Sequence, residues 1–180
     1  AEVGYGDIGI TGQLAGALAT QTEDAMRYGL VAGYKQFFNP HIGLRYYANI
    51  SFQQSLGVSG GTGGEELTSF LNYGANVDLL GNFIATEHFD FGAFVGIGLG
   101  ANTWFNQILT DAKNLGLKVS TTGFDFALNV GLRTNLFSHH GIEIAARVPF
   151  LANTVFDAAL DSKVDFSSSY SVTARYIFSF

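Results

Sequence analysis

The last eleven residues alternate between two kinds of side chain. Tyr170, Val172, Ala174, Tyr176, Phe178 and Phe180 share one parity, and Ser171, Thr173, Arg175, Ile177 and Ser179 share the other. Successive side chains of a strand point to opposite faces, so period two predicts a strand with one apolar and one polar face. The same alternation recurs upstream. In 141–151, Ile142, Ile144, Ala146, Val148 and Phe150 oppose Glu143, Ala145 and Arg147. In 122–137, Phe124, Phe126, Leu128, Val130, Leu132 and Leu136 oppose Asp125, Asn129, Gly131, Arg133 and Asn135. Segments 88–104, 69–84, 41–54 and 27–38 repeat it, with Asp90, Asn72, Asp78, Arg45 and Arg27 on their polar sides. The weakest segment, about 6–18, sets Ile8, Ile10, Leu14 and Leu18 against Asp7, Thr11 and Gln13.

The pattern predicts eight strands. Most exceed the about 9–11 residues that a tilted strand needs to cross a bilayer. Their connections alternate in length. Asn39-Pro40, Ala85-Thr86-Glu87 and Ser138-His139-His140 are tight turns, whereas 19–26, 55–67, 105–120 and 152–167 read as long polar loops. Short turns at one end and long loops at the other are the pattern of an outer-membrane barrel. An even strand number then puts both termini at the short-turn, periplasmic end.

A soluble barrel or sandwich also alternates, with its apolar face turned inward. The distribution of charge favours the reverse. Arg27, Lys35, Arg45, Arg133, Arg147 and Arg175 share the polar face with Asp7, Asp78, Asp90, Asp125 and Glu143. A solvated exterior needs no such balance of signs, but an enclosed lumen does, because an unpaired buried charge is costly. The interior of an eight-stranded barrel is only just wide enough for side chains. Gly96, Gly98 and Gly100 are expected to make room there for arginines from opposite strands. Aromatic residues gather at strand ends. Phe38, Phe83, Phe89, Phe137, Phe178 and Phe180 fall near the short turns, and Tyr28, Phe52, Phe70, Trp104, Phe124, Phe150 and Tyr170 near the long loops. Two such girdles are expected at two lipid–water interfaces. The predicted fold is therefore all-β: one domain over 1–180, an eight-stranded antiparallel up-and-down transmembrane barrel.

Composition agrees. Apolar residues make up 47% of the chain and charged residues 13%, against about 25% charged in a soluble domain. No uninterrupted apolar run reaches the roughly 18 residues of a membrane helix. The chain has no cysteine, which excludes disulfides, thiolate metal sites and a cysteine-linked lipid anchor. Ala1-Glu2-Val3 has neither a basic n-region nor an apolar h-region, so an exported chain would be in its mature form. A net charge of −6 disfavours nucleic acid as a partner. The expected surroundings are outer-membrane lipid and lipopolysaccharide.

Several stretches together resemble the C-terminal barrel of the Helicobacter outer-membrane proteins, the Hop-like porin and adhesin group. They are Gly43-Leu44-Arg45-Tyr46-Tyr47, Tyr73-Gly74 through Asp78 to Asn82-Phe83-Ile84, Gly100-Ala101-Asn102-Thr103-Trp104, Asn129-Val130-Gly131-Leu132-Arg133-Thr134-Asn135, His140-Gly141-Ile142-Glu143 to Val148-Pro149-Phe150, and Tyr176-Ile177-Phe178-Ser179-Phe180. The resemblance implies an outer-membrane location and a barrel closed between its first and last strands. It also implies that Tyr176, Phe178 and Phe180 are the signal read by the barrel-assembly machinery. Larger members that act as adhesins carry a big extracellular insertion near the N-terminus. Loop 19–26 is too short for one, so adhesion does not carry over with the resemblance.

Little in the chain points to catalysis. His41, His88, His139 and His140 all lie at or beside short turns, away from any nucleophile held with an orienting carboxylate. The adjacent pair His139-His140 does not define a metal site. Gly60-Gly61-Thr62-Gly63-Gly64 lacks the Lys-Ser/Thr ending of a phosphate loop. Gly96-x-Gly98-x-Gly100 lies inside a strand with no helix following, unlike a dinucleotide fingerprint. Neither enzyme activity, metal nor cofactor is expected. Arg45, Asp78, Asp90, Asp125, Arg133, Glu143, Arg147 and Arg175 are expected to form a charge-paired lumen plug. A narrow pore for ions or small solutes and a loop-mediated adhesin with an unknown extracellular ligand are the alternatives.

Overall fold

A computed structural model describes residues 1–14, 17–56, 68–106, 120–137, 139–158 and 162–180. Among these residues there are strands and no helix. The strands are β1 (Glu2–Leu14), β2 (Ala17–Asn39), β3 (Ile42–Ser55), β4 (Ser69–Ala85), β5 (Phe89–Phe105), β6 (Thr122–Leu136), β7 (His140–Pro149), β8 (Asn153–Ala158), β9 (Ser162–Ser167) and β10 (Ser171–Phe178). From β1 to β7 each strand pairs antiparallel with the next. β10 pairs with β7 on one side and with β1 on the other, which closes an eight-stranded barrel. β8 and β9 form a hairpin that prolongs the walls of β7 and β10, and β9 continues the pairing to β1.

Closure follows from the two-faced strands. A closed sheet leaves no edge of unpaired backbone groups, the condition for lying in hydrocarbon. Val95, Ile97, Leu99, Val130, Leu132, Ile142 and Ile144 point outward and are exposed, while Asp78, Asp125, Arg133, Glu143 and Arg147 point inward and are buried. Apolar outside and ionic inside is the lipid-facing arrangement.

The tight turns are fixed by local bonds. Asn39 Oδ1 accepts from the backbone N–H of His41 and Ile42, each at 2.9 Å. Thr86 Oγ1 donates to the Phe89 carbonyl at 2.7 Å and accepts from its N–H at 3.1 Å.

Three sequence expectations need correction. Residues 19–26 are no loop. They belong to β2, a strand of 23 residues paired to β1 from Gly29↔Glu2 to Ala17↔Leu14. Thr20, Gln21, Thr22 and Asp24 are exposed. Where a hairpin rises past the lipid both faces meet water, so its sequence loses the alternation that identifies a strand. The same holds for 152–167, read as loop but folded in part as β8 and β9.

The first strand is also displaced and turned over. It runs 2–14 instead of about 6–18, and Ile8 faces inward, fully buried. Val3 and Tyr5 face outward. The loop expected at 55–67 falls largely on 57–67, and that at 105–120 on 107–119; both lie outside the described residues.

Candidate functional site

The site is the lumen, which is filled in three layers. Nearest the short turns, Arg45 stands in register with Asp78 and donates to Asp78 Oδ2 from Nε at 3.2 Å and Nη2 at 2.6 Å. Its Nη1 donates to Glu143, across the barrel on β7. Arg133 Nε lies 4.0 Å from the same Glu143, and Arg133 Nη1 donates to Asn82 Oδ1 at 2.9 Å. Apolar side chains wall these charges in. Leu80, Phe94 and Ala145 cluster with Phe37. The Arg45 guanidinium lies over the Phe94 ring at 4.7 Å and that of Arg133 over Phe37 at 5.3 Å. Such stacking suits a weakly hydrated guanidinium held out of water.

The middle layer joins the chain's two ends. Glu2 Oε2 accepts from Arg175 Nε at 2.8 Å, and Glu2 Oε1 accepts from Ser51 Oγ at 2.6 Å and Arg27 Nε at 3.3 Å. Beside it lies a closed ring of hydrogen bonds. Asn49 donates to Asn72 at 2.7 Å, and Asn72 to Asp125 at 2.9 Å. Asp125 accepts from Arg147, which donates to Asn76 Oδ1 at 3.1 Å. Asn76 donates back to Asn49 at 2.8 Å. Asn102 and Asn129 attach as branches, by Asn72 Nδ2 to Asn102 at 2.7 Å and Asn129 Nδ2 to Asn76 at 3.0 Å. The ring ties β3 and β4 to β6 and β7 through the interior. A polar network of this kind stabilises only when its members are paired.

The layer at the opposite end of the lumen is built around an apolar cluster. Ile8, Ala25, Phe70, Trp104 and Phe166 form one buried cluster. The Phe70 and Trp104 rings lie 4.4 Å apart, and those of Trp104 and Phe166 5.1 Å.

The eight charged residues expected in the lumen fall into place unevenly. Arg45, Asp78, Arg133 and Glu143 form one group, Arg147 and Asp125 a second, and Arg175 joins Glu2 in a third. Asp90 lies half-buried at the short-turn end and joins none of these pairs. Of the glycines expected to admit arginines, Gly98 does so. A Cβ there would stand 2.7 Å from Arg147 Nη1, whereas at Gly96 it would meet Asp78 and at Gly100 the backbone of β4.

Seven girdle residues, Tyr28, Phe52, Phe83, Phe89, Phe137, Phe150 and Tyr170, lie on the outer face; Tyr28 and Phe52 touch with ring centres 5.6 Å apart. Trp104 does not. It points into the lumen and is 1% exposed, as Phe70 does at 2%. Both sit at the parity of Asn72, Asp78, Gly98 and Asn102, so period two had already assigned them to the interior.

Sequence reasoning also missed Glu2. The signal was available, since Glu2, Gly4 and Gly6 alternate with Val3 and Tyr5. Asp7, assigned to the lumen face, instead turns its carboxylate to the seam at Ser168–Tyr170.

The histidines stay at the turns. His41 Nδ1 meets the Asn82 carbonyl at 3.0 Å, His139 Nδ1 that of Ser179 at 3.0 Å, and His140 Nδ1 the Tyr176 hydroxyl at 2.7 Å. Tyr176, Phe178 and Phe180 lie exposed on the outer side, with Phe178 and Phe180 edge to face at 5.2 Å.

A family model described as Helicobacter outer membrane protein matches residues 29–180. No curated protein matches the chain. Among solved structures, the chain is similar to the outer membrane protein OprG from Pseudomonas aeruginosa, with 15% identity and a TM-score of 0.53 over 99% of this chain and 94% of that one. The outer membrane enzyme PagL gives 16% identity and a TM-score of 0.48, covering 98% and 99%. Ail of Yersinia pestis gives 17% and 0.35, covering 98% and 97%. At 15% identity the likeness to OprG is one of fold.

Proposed function

The chain belongs to the Helicobacter outer membrane protein family and is an outer-membrane β-barrel protein, and from that premise we propose that its role is non-enzymatic: a sealed barrel that contributes to envelope structure or surface interaction through its long loops. The observation that carries this reading is the ring through Asn49, Asn72, Asp125, Arg147 and Asn76. These side chains spend their hydrogen bonds on one another across the lumen, so an ion entering would have to break the ring before gaining any partner. The charges beneath it are paired in both signs, which suits a plug better than a path selective for one ion.

In this reading lipid and lipopolysaccharide surround the apolar wall, and both termini lie on the periplasmic side. Tyr176, Phe178 and Phe180 serve as the signal for the barrel-assembly machinery, an assignment their exposed positions support. The stretches 57–67 and 107–119 are the candidates for contact with an extracellular ligand.

Planar-bilayer recording tests the reading. The purified barrel is expected to give no discrete current steps. Reproducible unitary conductance would overturn the sealed lumen and favour a narrow pore. Incubation with phospholipid or lipopolysaccharide is expected to leave their acyl chains intact, and turnover in that assay would overturn the non-enzymatic role.

A further inference from the structure

Three carboxylates of the lower lumen, Asp78, Asp125 and Glu143, each leave one oxygen without a hydrogen bond, but an arginine neutralises each of them. At the outer end of the lumen, opposite the short turns, Glu23 is held differently. It is in register with Ile8, which is buried on the inner side, so the two share the inward face. Glu23 Oε2 is buried without a hydrogen bond, and among the described residues Glu23 forms no ion pair. An isolated carboxylate drawn out of water is costly unless a cation meets it.

Two further oxygens stand around it in the same condition. Ala25 is the next inward position of β2 after Glu23, about 7 Å along the strand. Its register partner on β3 is Ser55, about 5 Å away across the ladder. Gln53 starts one inward position before Ser55 and reaches over Ala25 to β1, where its Nε2 donates to the Asp7 carbonyl at 3.0 Å. Gly6 is the register partner of Ala25 on that side, and a Cβ on Gly6 would stand 3.1 Å from Gln53 Nε2. Ala25, beneath the amide, is fully buried. The bond to Asp7 settles how the amide is turned, nitrogen toward β1, and Oε1 is left without a donor. Ser55 Oγ is buried and unbonded as well. A carboxylate, an amide oxygen and a hydroxyl therefore surround Ala25 from three sides, and none of the three is used by the fold.

We propose that Glu23, Gln53 and Ser55 form a cation site at the outer end of the lumen, and that its ligand is a hard divalent ion of the calcium class. The donors are all oxygen, with no imidazole or thiolate among them. An irregular set of carboxylate, amide and hydroxyl oxygens suits calcium, which accepts flexible geometry and completes its shell with water, better than magnesium, which demands a near-ideal octahedron. Glu23 supplies the charge. Gln53 is oriented in advance by its bond to β1, so its oxygen loses little freedom when the ion binds. Glu23 is only half-buried, which leaves the ion a way in from solvent. The site lies above the asparagine–arginine ring and needs no passage through it.

Terbium takes calcium's place in such sites and luminesces when a nearby indole is excited. Trp104 is the chain's one tryptophan, and its ring packs on Phe70, the register partner of Gln53. The folded barrel in detergent is expected to give saturable terbium luminescence that calcium displaces. Glu23→Gln keeps the shape and removes the charge, and is expected to weaken terbium binding by about tenfold or more. Ser55→Ala removes an oxygen that bonds nothing in the fold, and is expected to weaken it by about threefold. Asp24 is the next residue of β2, exposed on the opposite face, and Asp24→Asn is expected to change binding by less than about twofold, because an exposed charge is screened. Heat-modifiable migration shows that each variant has folded.

Absence of saturable luminescence would overturn the site, as would unchanged binding in folded Glu23→Gln. Equal losses in Glu23→Gln and Asp24→Asn would also overturn it, as adsorption to an acidic surface only. Should Glu23→Gln fail to fold, Ser55→Ala decides alone, and unchanged affinity there would sink the proposal. The ring beneath is untouched by these substitutions, so such a failure leaves the sealed lumen standing.

Discussion

The middle and the outer end of the lumen are both buried and both closed, yet by opposite means. In the middle, Arg147 and Asp125 meet within a ring of asparagines, and every member depends on its neighbours' direction. At the outer end, Trp104, Phe70, Phe166 and Ile8 fill space without directional bonds. A directional network fails when one partner is lost, because the charge left behind has no water to turn to. A packed cluster fails in proportion to the volume removed. Identical burial therefore predicts different sensitivities to substitution.

Unfolding in urea, followed by electrophoretic mobility, separates the two. The largest effect is expected for Arg147→Ala, which strands the Asp125 carboxylate at a cost of about 3–5 kcal/mol. A loss below about 1 kcal/mol would show that the ring adds nothing beyond packing. Next comes a control on the opposite face. Val130→Arg places a charge in the lipid-facing wall and is expected to cost about 2–4 kcal/mol. If it matched the parent, the outward face would not lie in hydrocarbon. Gly98→Ala pushes a methyl group toward Arg147 Nη1 at 2.7 Å and Asn76 Oδ1 at 2.3 Å. Both are side-chain ends able to shift, so a cost of about 1–3 kcal/mol is expected, with Arg147→Ala abolishing most of it. The smallest effect belongs to the outer end. Trp104→Phe removes an N–H that has no partner and keeps an aromatic ring, and is expected to cost less than about 1.5 kcal/mol. A larger loss would mean that the surrounding rings do not close over the space the smaller side chain leaves.

Much of the wall was legible in the sequence, because hydrocarbon outside and a narrow lumen inside impose different residues on alternate positions. Leu128, Val130 and Leu132 against Asn129, Gly131 and Arg133 leave no choice of face. The reading weakened wherever that contrast disappears. Thr20–Asp24 stand beyond the lipid, with water on both sides, so a strand there looks like a loop. Trp104 was misplaced for another reason. Its type argued for an interface and its parity for the interior; parity prevailed because a one-residue slip would have turned all of β5 over. The partners within the lumen were less legible than their membership of it. Arg45 meets both its register neighbour Asp78 and Glu143 four strands away, and only the closed barrel brings the second within reach. Asp90 shows the converse, an acid of the right parity placed too near the mouth to be drawn into a pair.

The bond between Glu2 and Arg175 gives the barrel a chronology. Synthesis delivers Glu2 well before Arg175, since 173 positions separate them. Until the final strand arrives, Glu2 has only Arg27 and a serine hydroxyl to oppose its charge. An incomplete wall therefore carries its own electrostatic penalty, which is relieved in the same event that joins the two outermost staves.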